Sequence, residues 1–203
     1  MRQINSIADM TGGVVIKIGG SLMDVAGDVL HELAEAKTPA LIIPGGGVFA
    51  NDVRDLGIDG DAGHWMAVAA MDQYGWYLSD FGLKTTDICA MPKDGAEIFL
   101  PYTFLRACDP LPHSWDITSD SISAWIAGQL GCRLILLKSV DGVVVHGELL
   151  PKFPPDTDTD VIDPCCIQIL KKYHTKAVIL NGRRPGRLGR YLSGEDVPGT
   201  RLP

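Results

Sequence analysis

The sequence predicts an α/β fold with a mainly parallel sheet covered by helices on both faces. Two observations carry this. Short apolar runs rich in β-branched residues alternate with helical stretches from end to end, and glycines follow directly after the first two runs. Strand–helix alternation demands crossover connections and therefore parallel pairing. Ligands of such sheets sit at the carboxyl ends of the strands, where these glycines lie. A chain of 203 residues, 46% of them hydrophobic, suits a single domain, 1–203, with a core and a cleft.

The elements follow in order. Gly13–Ile18 is the first strand, closed by Gly19-Gly20. Ser21 is placed to cap a helix through about Ala36, with Leu22, Val25, Val29, Leu30 and Leu33 on one stripe. Ala40–Ile43 is a buried strand ending at Pro44, and Gly45-Gly46-Gly47 opens a helix towards Leu56. A long helix covers roughly Asp61 to Asp80, and Asp87–Ala90 and Glu97–Leu100 are weaker strand or edge candidates. The second half continues with a helix over Ser119–Leu130, a buried strand at Arg133–Leu137 and a hairpin from Val143–Val145 through Glu148. Pro151–Asp160, rich in Pro and Asp, is a loop. Cys165–Tyr173 is a helix, Ala177–Leu180 a strand, and Arg184–Leu192 a helical turn or two.

Composition excludes several classes. A net charge of −7 argues against nucleic acid, whose backbone demands a basic face. The cluster Arg183, Arg184, Arg187 and Arg190 reads first as a solvated helix face. No apolar run approaches the ~18 residues of a membrane span, and the opening stretch 1–10 lacks the apolar centre of a signal peptide, so a cytoplasmic protein is expected. Cys89, Cys108, Cys132, Cys165 and Cys166 form no C-x-x-C pair; they read as buried free thiols, and no protein-held metal is expected.

Several segments at strand ends suit phosphate. In Lys17-Ile18-Gly19-Gly20-Ser21, glycines let backbone N–H groups approach an anion and Lys17 supplies a full charge; a tight turn with an exposed lysine is an equally good reading of this segment alone. Gly45-Gly46-Gly47 costs roughly 1 kcal/mol per glycine against alanine, which a simple turn rarely needs, so a second anion nest is the better reading. Thr118-Ser119-Asp120-Ser121 caps a helix, and Asp120, a carboxylate near phosphates, makes sense where it organises cations. Lys138 and Asp141 close the strand before Gly142-Val143 and suit phosphate and nucleotide; Asp141-Gly142 reads equally well as a plain turn.

The ordered set of residues 17–22, 42–52, 118–125 and 136–143, ending in Gly199-Thr200, resembles the amino-acid kinase superfamily over nearly the whole chain. The resemblance implies a three-layer αβα sandwich. Residues about 1–110 would bind the acceptor and about 111–203 would bind ATP. It implies that Lys17 stabilises the transferring phosphoryl group and that Asp120 organises it. Lys17, Gly19, Gly20 and Ser21, with Lys138, Ser139, Asp141, Gly142 and Val143, would contact ATP, which enters with Mg2+. Gly45, Gly46 and Gly47 would cradle the acceptor. Relatives range from dimers to hexamers, so a homo-oligomer is implied. One departure stands out: many members carry a Gly-Gly-Met segment followed by a second phosphate-binding lysine. Here residues 151–164 hold no such motif and only Lys152. Lys138 or Mg2+ would then supply the second cation.

Residues 64–75 and 112–121 look like those of the methanofuran-pathway branch, whose members phosphorylate [5-(aminomethyl)furan-3-yl]methyl phosphate. Such an acceptor needs donors for its phosphate, an aromatic face and a carboxylate for its ammonium. His64, Trp65, Trp115, Ser119 and the carboxylates Asp52, Asp72 and Asp116 are the candidates, each weighed against plain packing. Isopentenyl phosphate and uridylate kinases are the alternatives within the superfamily. A non-catalytic nucleotide-binding or anion-storage protein is the alternative outside catalysis.

Overall fold

The computed structural model describes residues 13–154 and 157–203; the opening stretch 1–12 and Pro155-Asp156, inside the loop read from the sequence, lie outside the described residues. Seven strands form one sheet in the order β3-β4-β2-β1-β5-β8-β9. These are β1 (Val14–Ile18), β2 (Ala40–Pro44), β3 (Lys84–Thr86), β4 (Ala96–Phe99), β5 (Arg133–Lys138), β8 (Ala177–Asn181) and β9 (Thr200–Leu202). All neighbours are parallel except β8 and β9. A small antiparallel hairpin, β6 (Val144–Val145) with β7 (Glu148–Leu149), stands apart. The helices are α1 (Ala26–Ala36), α2 (Gly47–Asp55), α3 (Gly60–Ser79), α4 (Tyr102–Cys108), α5 (Ser119–Leu130), α6 (Cys166–Tyr173) and α7 (Arg187–Leu192).

The three layers follow from the two-residue period of the strands. Val15, Leu41, Ile43, Leu134, Leu136 and Ile179 pack with Ile126 of α5 and Leu170 of α6 on one face. Their neighbours Val14, Ile16, Ile18, Ile42, Ile135 and Leu180 pack with Leu30 of α1 and Leu188 of α7 on the other. Helix α3 serves both, with Val68 and Met71 in the first cluster and Tyr74 and Leu78 in the second. Chain order reverses at the centre: β1 leads to β2 on one side, whereas β5 leads to β8 on the other. The crevice therefore opens at the carboxyl ends of β1 and β5.

Four sequence expectations are corrected. The helix foreseen from Ser21 is split into a 3-10 turn, Gly20–Val25, and α1, with Gly19 rather than Ser21 preceding the first turn and no side-chain cap. Here the chain must pass against the second glycine loop, and the tighter 3-10 winding carries it past (Leu22 N–H to the Gly19 carbonyl, 3.0 Å). Asp87–Ala90 is not a strand; β3 lies just before it, because the Thr86 hydroxyl accepts the Ile88 N–H at 3.1 Å and turns the chain. β4 is an interior strand between β3 and β2 rather than an edge. The last helix begins at Arg187, after Pro185 and a left-handed Gly186 (φ 73°).

Candidate active site

The chemistry-bearing side chains converge because of strand register. Lys17 lies opposite Leu136 on β5, so Lys138, two residues further on, is its diagonal neighbour on the same face. That face carries α5, whose second residue is Asp120. Lys17 Nζ lies 2.8 Å from Asp120 Oδ1, and Lys138 Nζ donates to Oδ2 at 2.5 Å. The Lys17 contact is ionic rather than an aligned hydrogen bond, since Oδ1 has no hydrogen-bond partner. The Lys17 and Asp120 side chains are only 6% and 5% exposed and that of Lys138 15%, so the cluster is a buried net charge of +1. Burial opposes the charge on Asp120, but the two ammonium groups outweigh it and hold the carboxyl below its ordinary value. Burial, together with the Lys17 charge, pulls Lys138 down to about 8 against the opposing pull of Asp120.

Asp120 is fixed from behind. Thr118 is the N-cap of α5, its hydroxyl accepting the Asp120 N–H at 3.5 Å. Asp163, buried, then gathers donors from two helix starts: the Thr118 N–H (2.9 Å) and hydroxyl (2.8 Å), the Ser121 N–H (2.9 Å) and hydroxyl, and the Cys166 N–H (3.0 Å). Sequence reasoning missed Asp163, although Asp followed by Pro164 just ahead of α6 is a helix-start signal.

The two glycine loops meet backbone to backbone. A Cβ on Gly20 would lie 2.3 Å from Gly47 Cα, and Gly47 itself has φ 57°. Gly45 N–H donates to the Ile18 carbonyl at 2.8 Å, and Tyr74 Oη donates to the Gly19 carbonyl at 3.3 Å. Lys17 Nζ sits beside Gly19, 3.4 Å from where a Cβ would be. On the β5 side, Ser139 is exposed, and Val143 N–H donates to the Thr200 hydroxyl at 2.9 Å. A Cβ on Gly142 would collide with that hydroxyl at 2.3 Å. Asp141 accepts from Asn181 Nδ2 (2.9 Å) and Arg187 Nη1 (2.6 Å); despite partial burial these partners hold its carboxyl below its usual value. Arg187 is therefore not solvated, and Arg183 clasps Asp24 (2.7 and 2.9 Å) and the Ser21 carbonyl (2.7 Å). The expectation of a solvated arginine face fails for Arg187, whose side chain is 13% exposed; Arg183 is paired yet remains 40% exposed, and Arg184 and Arg190 are more than half exposed.

Beside the glycine loops lies a cavity of about 400 Å³, lined by Gly20, Ser21, Gly46, Gly47, His64, Trp115 and Ser119 among others. Arg54, Asn51 and Thr118 also line it, and no carboxylate does among the described lining residues. The Arg54 guanidinium lies 4.6 Å over the Trp115 ring. None of the three candidate carboxylates lines this cavity. Asp52 is exposed on α2, and Asp116 is exposed beside a turn in which its N–H donates to Ser114 Oγ (3.0 Å). Asp72 accepts the Tyr102 N–H at 3.0 Å, serving the start of α4. Trp65 is turned to Arg106, 4.5 Å over its ring. Lys152 is exposed and pairs with β9 through Arg201, outside the lysine–carboxylate cluster. Arg54 carried no sequence signal, being one basic residue between Asp52 and Asp55.

Desolvation raises all five thiols, Cys89 to about 11, but the expectation of buried thiols holds fully only for Cys166: Cys89, Cys132 and Cys165 are half-buried and Cys108, at the end of α4, is exposed. No group of three His, Cys, Asp or Glu among the described residues is placed to hold a metal ion, and both Asp120 oxygens face lysines. No helix among the described residues is long and apolar enough to cross a membrane.

Comparison with known proteins gives the family and the fold. The amino acid kinase family model matches residues 13–181. A [5-(aminomethyl)furan-3-yl]methyl phosphate kinase of Methanocaldococcus jannaschii is 33% identical over 89% of this chain and 93% of its own. Among solved structures, a UMP kinase from Ureaplasma parvum superposes with TM-score 0.70 at 14% identity, covering 94% of this chain and 98% of that one. An isopentenyl phosphate kinase superposes with TM-score 0.66 at 17% identity, covering 93% and 99%. A uridylate kinase of Archaeoglobus fulgidus gives 0.66 at 18%, covering 94% and 100%.

Proposed function

The chain belongs to the amino acid kinase family, and from that premise we propose that it transfers the γ-phosphoryl group of ATP to the phosphate of [5-(aminomethyl)furan-3-yl]methyl phosphate, giving the diphosphate and ADP. One observation carries the reading: a buried Lys17–Asp120–Lys138 cluster of net charge +1 adjoins a cavity that holds Arg54 and no carboxylate among its described lining residues. Buried excess positive charge is stabilised by bound anion, and here two anions can approach from opposite sides of the glycine contact. The 33% identical relative supports the furan acceptor in particular.

The nucleotide takes the side of Ser139, Asp141 and Gly142, and the acceptor takes the cavity. Gly46, Gly47 and the starts of α2 and α5 offer N–H groups to the acceptor phosphate, and Arg54, held over Trp115, brings a positive charge to the same cavity. An acceptor phosphate oxygen attacks the γ-phosphorus as the bond to the β–γ bridging oxygen breaks. The nucleophile already carries negative charge, so no general base is required. Lys17 and Lys138 neutralise charge on the transferring group while Asp120 holds them in place; positioning and preorganised charge provide the rate. Mg2+ enters with the nucleotide phosphates and neutralises part of their charge.

The test is ADP release with MgATP across the furan phosphate, UMP, isopentenyl phosphate, acetylglutamate and a blank. Release confined to the furan phosphate is the expected result. Release with another acceptor discards the substrate, and tight ATP binding without release discards catalysis.

A further inference from the structure

The far end of the acceptor cavity is built around a histidine pair. Tyr74 reaches the glycine loops through Gly19, and His64 lies ten residues earlier on the same helix, about 15 Å along its axis at 1.5 Å per residue. His64 lines the cavity, and its ring makes no hydrogen bond to a described side chain. Its ring is stacked on that of His113, centroids 4.1 Å apart and 15° from parallel. Trp65 closes another side edge-on at 4.7 Å.

The state of His113 follows from geometry. Its Nδ1 lies 2.7 Å from Asp61 Oδ1 and its Nε2 lies 2.8 Å from Asp109 Oδ1. Only the imidazolium donates from both nitrogens, so His113 carries a proton on each; these two carboxylates raise its pKa. A second positive ring stacked on it is disfavoured. Burial first, and then the His113 charge, push the His64 pKa below its usual value, with Asp109 and Asp61 opposing only in part. Of the nearby arginines, Arg106 is held over the outer Trp65 ring and Arg54, which lines the same cavity, over the Trp115 ring. His64 therefore presents a neutral imidazole with an unprotonated ring nitrogen, in a cavity to which Asp52, Asp72 and Asp116 contribute nothing.

We propose that His64 is the specificity-determining residue for the acceptor's amino end, its free ring nitrogen accepting a hydrogen bond from the substrate's alkylammonium group. The inference rests on the proposed furan-phosphate reading and deepens it. A neutral acceptor replaces the carboxylate expected of an ammonium site. This leaves the cavity free of negative charge that would repel the acceptor phosphate at its other end. His113, braced by Asp61 and Asp109, is the positioning residue that stacks on His64 and adds to burial in disfavouring its charged form.

The test compares kcat/KM for the aminomethylfuran phosphate with that for its analogue bearing methyl in place of aminomethyl. The enzymes are the natural protein, His64→Phe, which keeps a ring to stack, and His64→Gln, which restores an acceptor. Hydrogen bonds to charged groups predict that His64→Phe loses about 10- to 100-fold on the amine substrate and under about threefold on the methyl analogue. His64→Gln should recover part of the loss. Below the lowered His64 pKa the natural protein should lose its preference for the amine as the ring charges, while the acceptor phosphate, common to both substrates, cancels from the ratio. Equal loss on both substrates, or no loss on either, overturns the role of His64 and leaves the kinase reading standing. If the natural protein phosphorylates neither compound, the acceptor assignment and this inference both fall.

Discussion

Asp120→Asn tests the buried cluster most sharply, because the side chain keeps its shape and loses only its charge. The variant leaves two buried ammonium groups, 2.8 and 2.5 Å from the former carboxylate, without a counter-ion. Removing one partner of a buried ion pair costs about 3–5 kcal/mol. Lys138 limits the damage. With its pKa already at about 8, it sheds its proton at pH 7 for roughly 1 kcal/mol, so the lower end, about 3 kcal/mol, is expected. For a chain of this size that is a Tm drop of roughly 6–12 °C. The sign with pH is specific. In the variant the folded-state pKa of Lys138 falls further below its unfolded value, so the unfolded chain binds more protons and variant stability rises with pH. In the natural protein that rise begins only near pH 8. The gap between the two therefore narrows from pH 6 to pH 8. Thermal unfolding by circular dichroism at pH 6, 7 and 8 reads the gap, and steady-state ADP release reads turnover, expected to fall about 100- to 1,000-fold. An unchanged Tm at pH 6, or a gap that widens with pH, would refute the coupled cluster.

Three further outcomes are expected. Because the free enzyme must carry a charged Lys138, kcat/KM for MgATP should fall as pH rises through about 8, and a profile flat to pH 9.5 would remove Lys138 from nucleotide binding. Gly20→Ala pushes a Cβ to 2.3 Å from Gly47 Cα, so it should lose at least ~10-fold in kcat/KM for both substrates while remaining folded; unaltered kinetics would show that the two loops need not touch. Asp163→Ala leaves N–H and hydroxyl donors on Thr118 and Ser121 unpaired, while the Cys166 N–H keeps the backbone carbonyl of residue 163, and a loss of about 2–4 kcal/mol in urea unfolding is expected.

What the sequence disclosed and what it hid divide along physical lines. The interior strands were legible because β1, β2 and β8 are short runs buried throughout and β5 is buried at its four central residues, a pattern of short apolar runs that leaves few alternatives. Lys17, Asp120 and Lys138 were legible as types at strand and helix ends, and period-two alternation places the lysines on one face once the register is known. The carboxylates proposed for the acceptor were not resolved. Asp72 and Asp116 lie close in sequence to cavity residues, yet side-chain direction turns Asp72 to the Tyr102 N–H and leaves Asp116 in solvent. Arg54 and Asp163 act through partners far away in sequence, Trp115 and Thr118, which no local pattern reveals. The break of the first helix at Val25 arises from the contact of Gly20 with Gly47, a tertiary demand that local propensity does not contain.

The central claim is phosphate-to-phosphate transfer through the Lys17–Asp120–Lys138 cluster, and phosphorus NMR of the reaction with MgATP and the furan phosphate tests it most directly. The account predicts that the acceptor's phosphomonoester signal is replaced by the two coupled signals of a diphosphate monoester, in step with ADP. The same sample with Lys17→Ala, folded as judged by circular dichroism, should form that product at least ~100-fold more slowly. Inorganic phosphate appearing in place of the diphosphate, or a Lys17→Ala rate within a few-fold of the natural one, would contradict it.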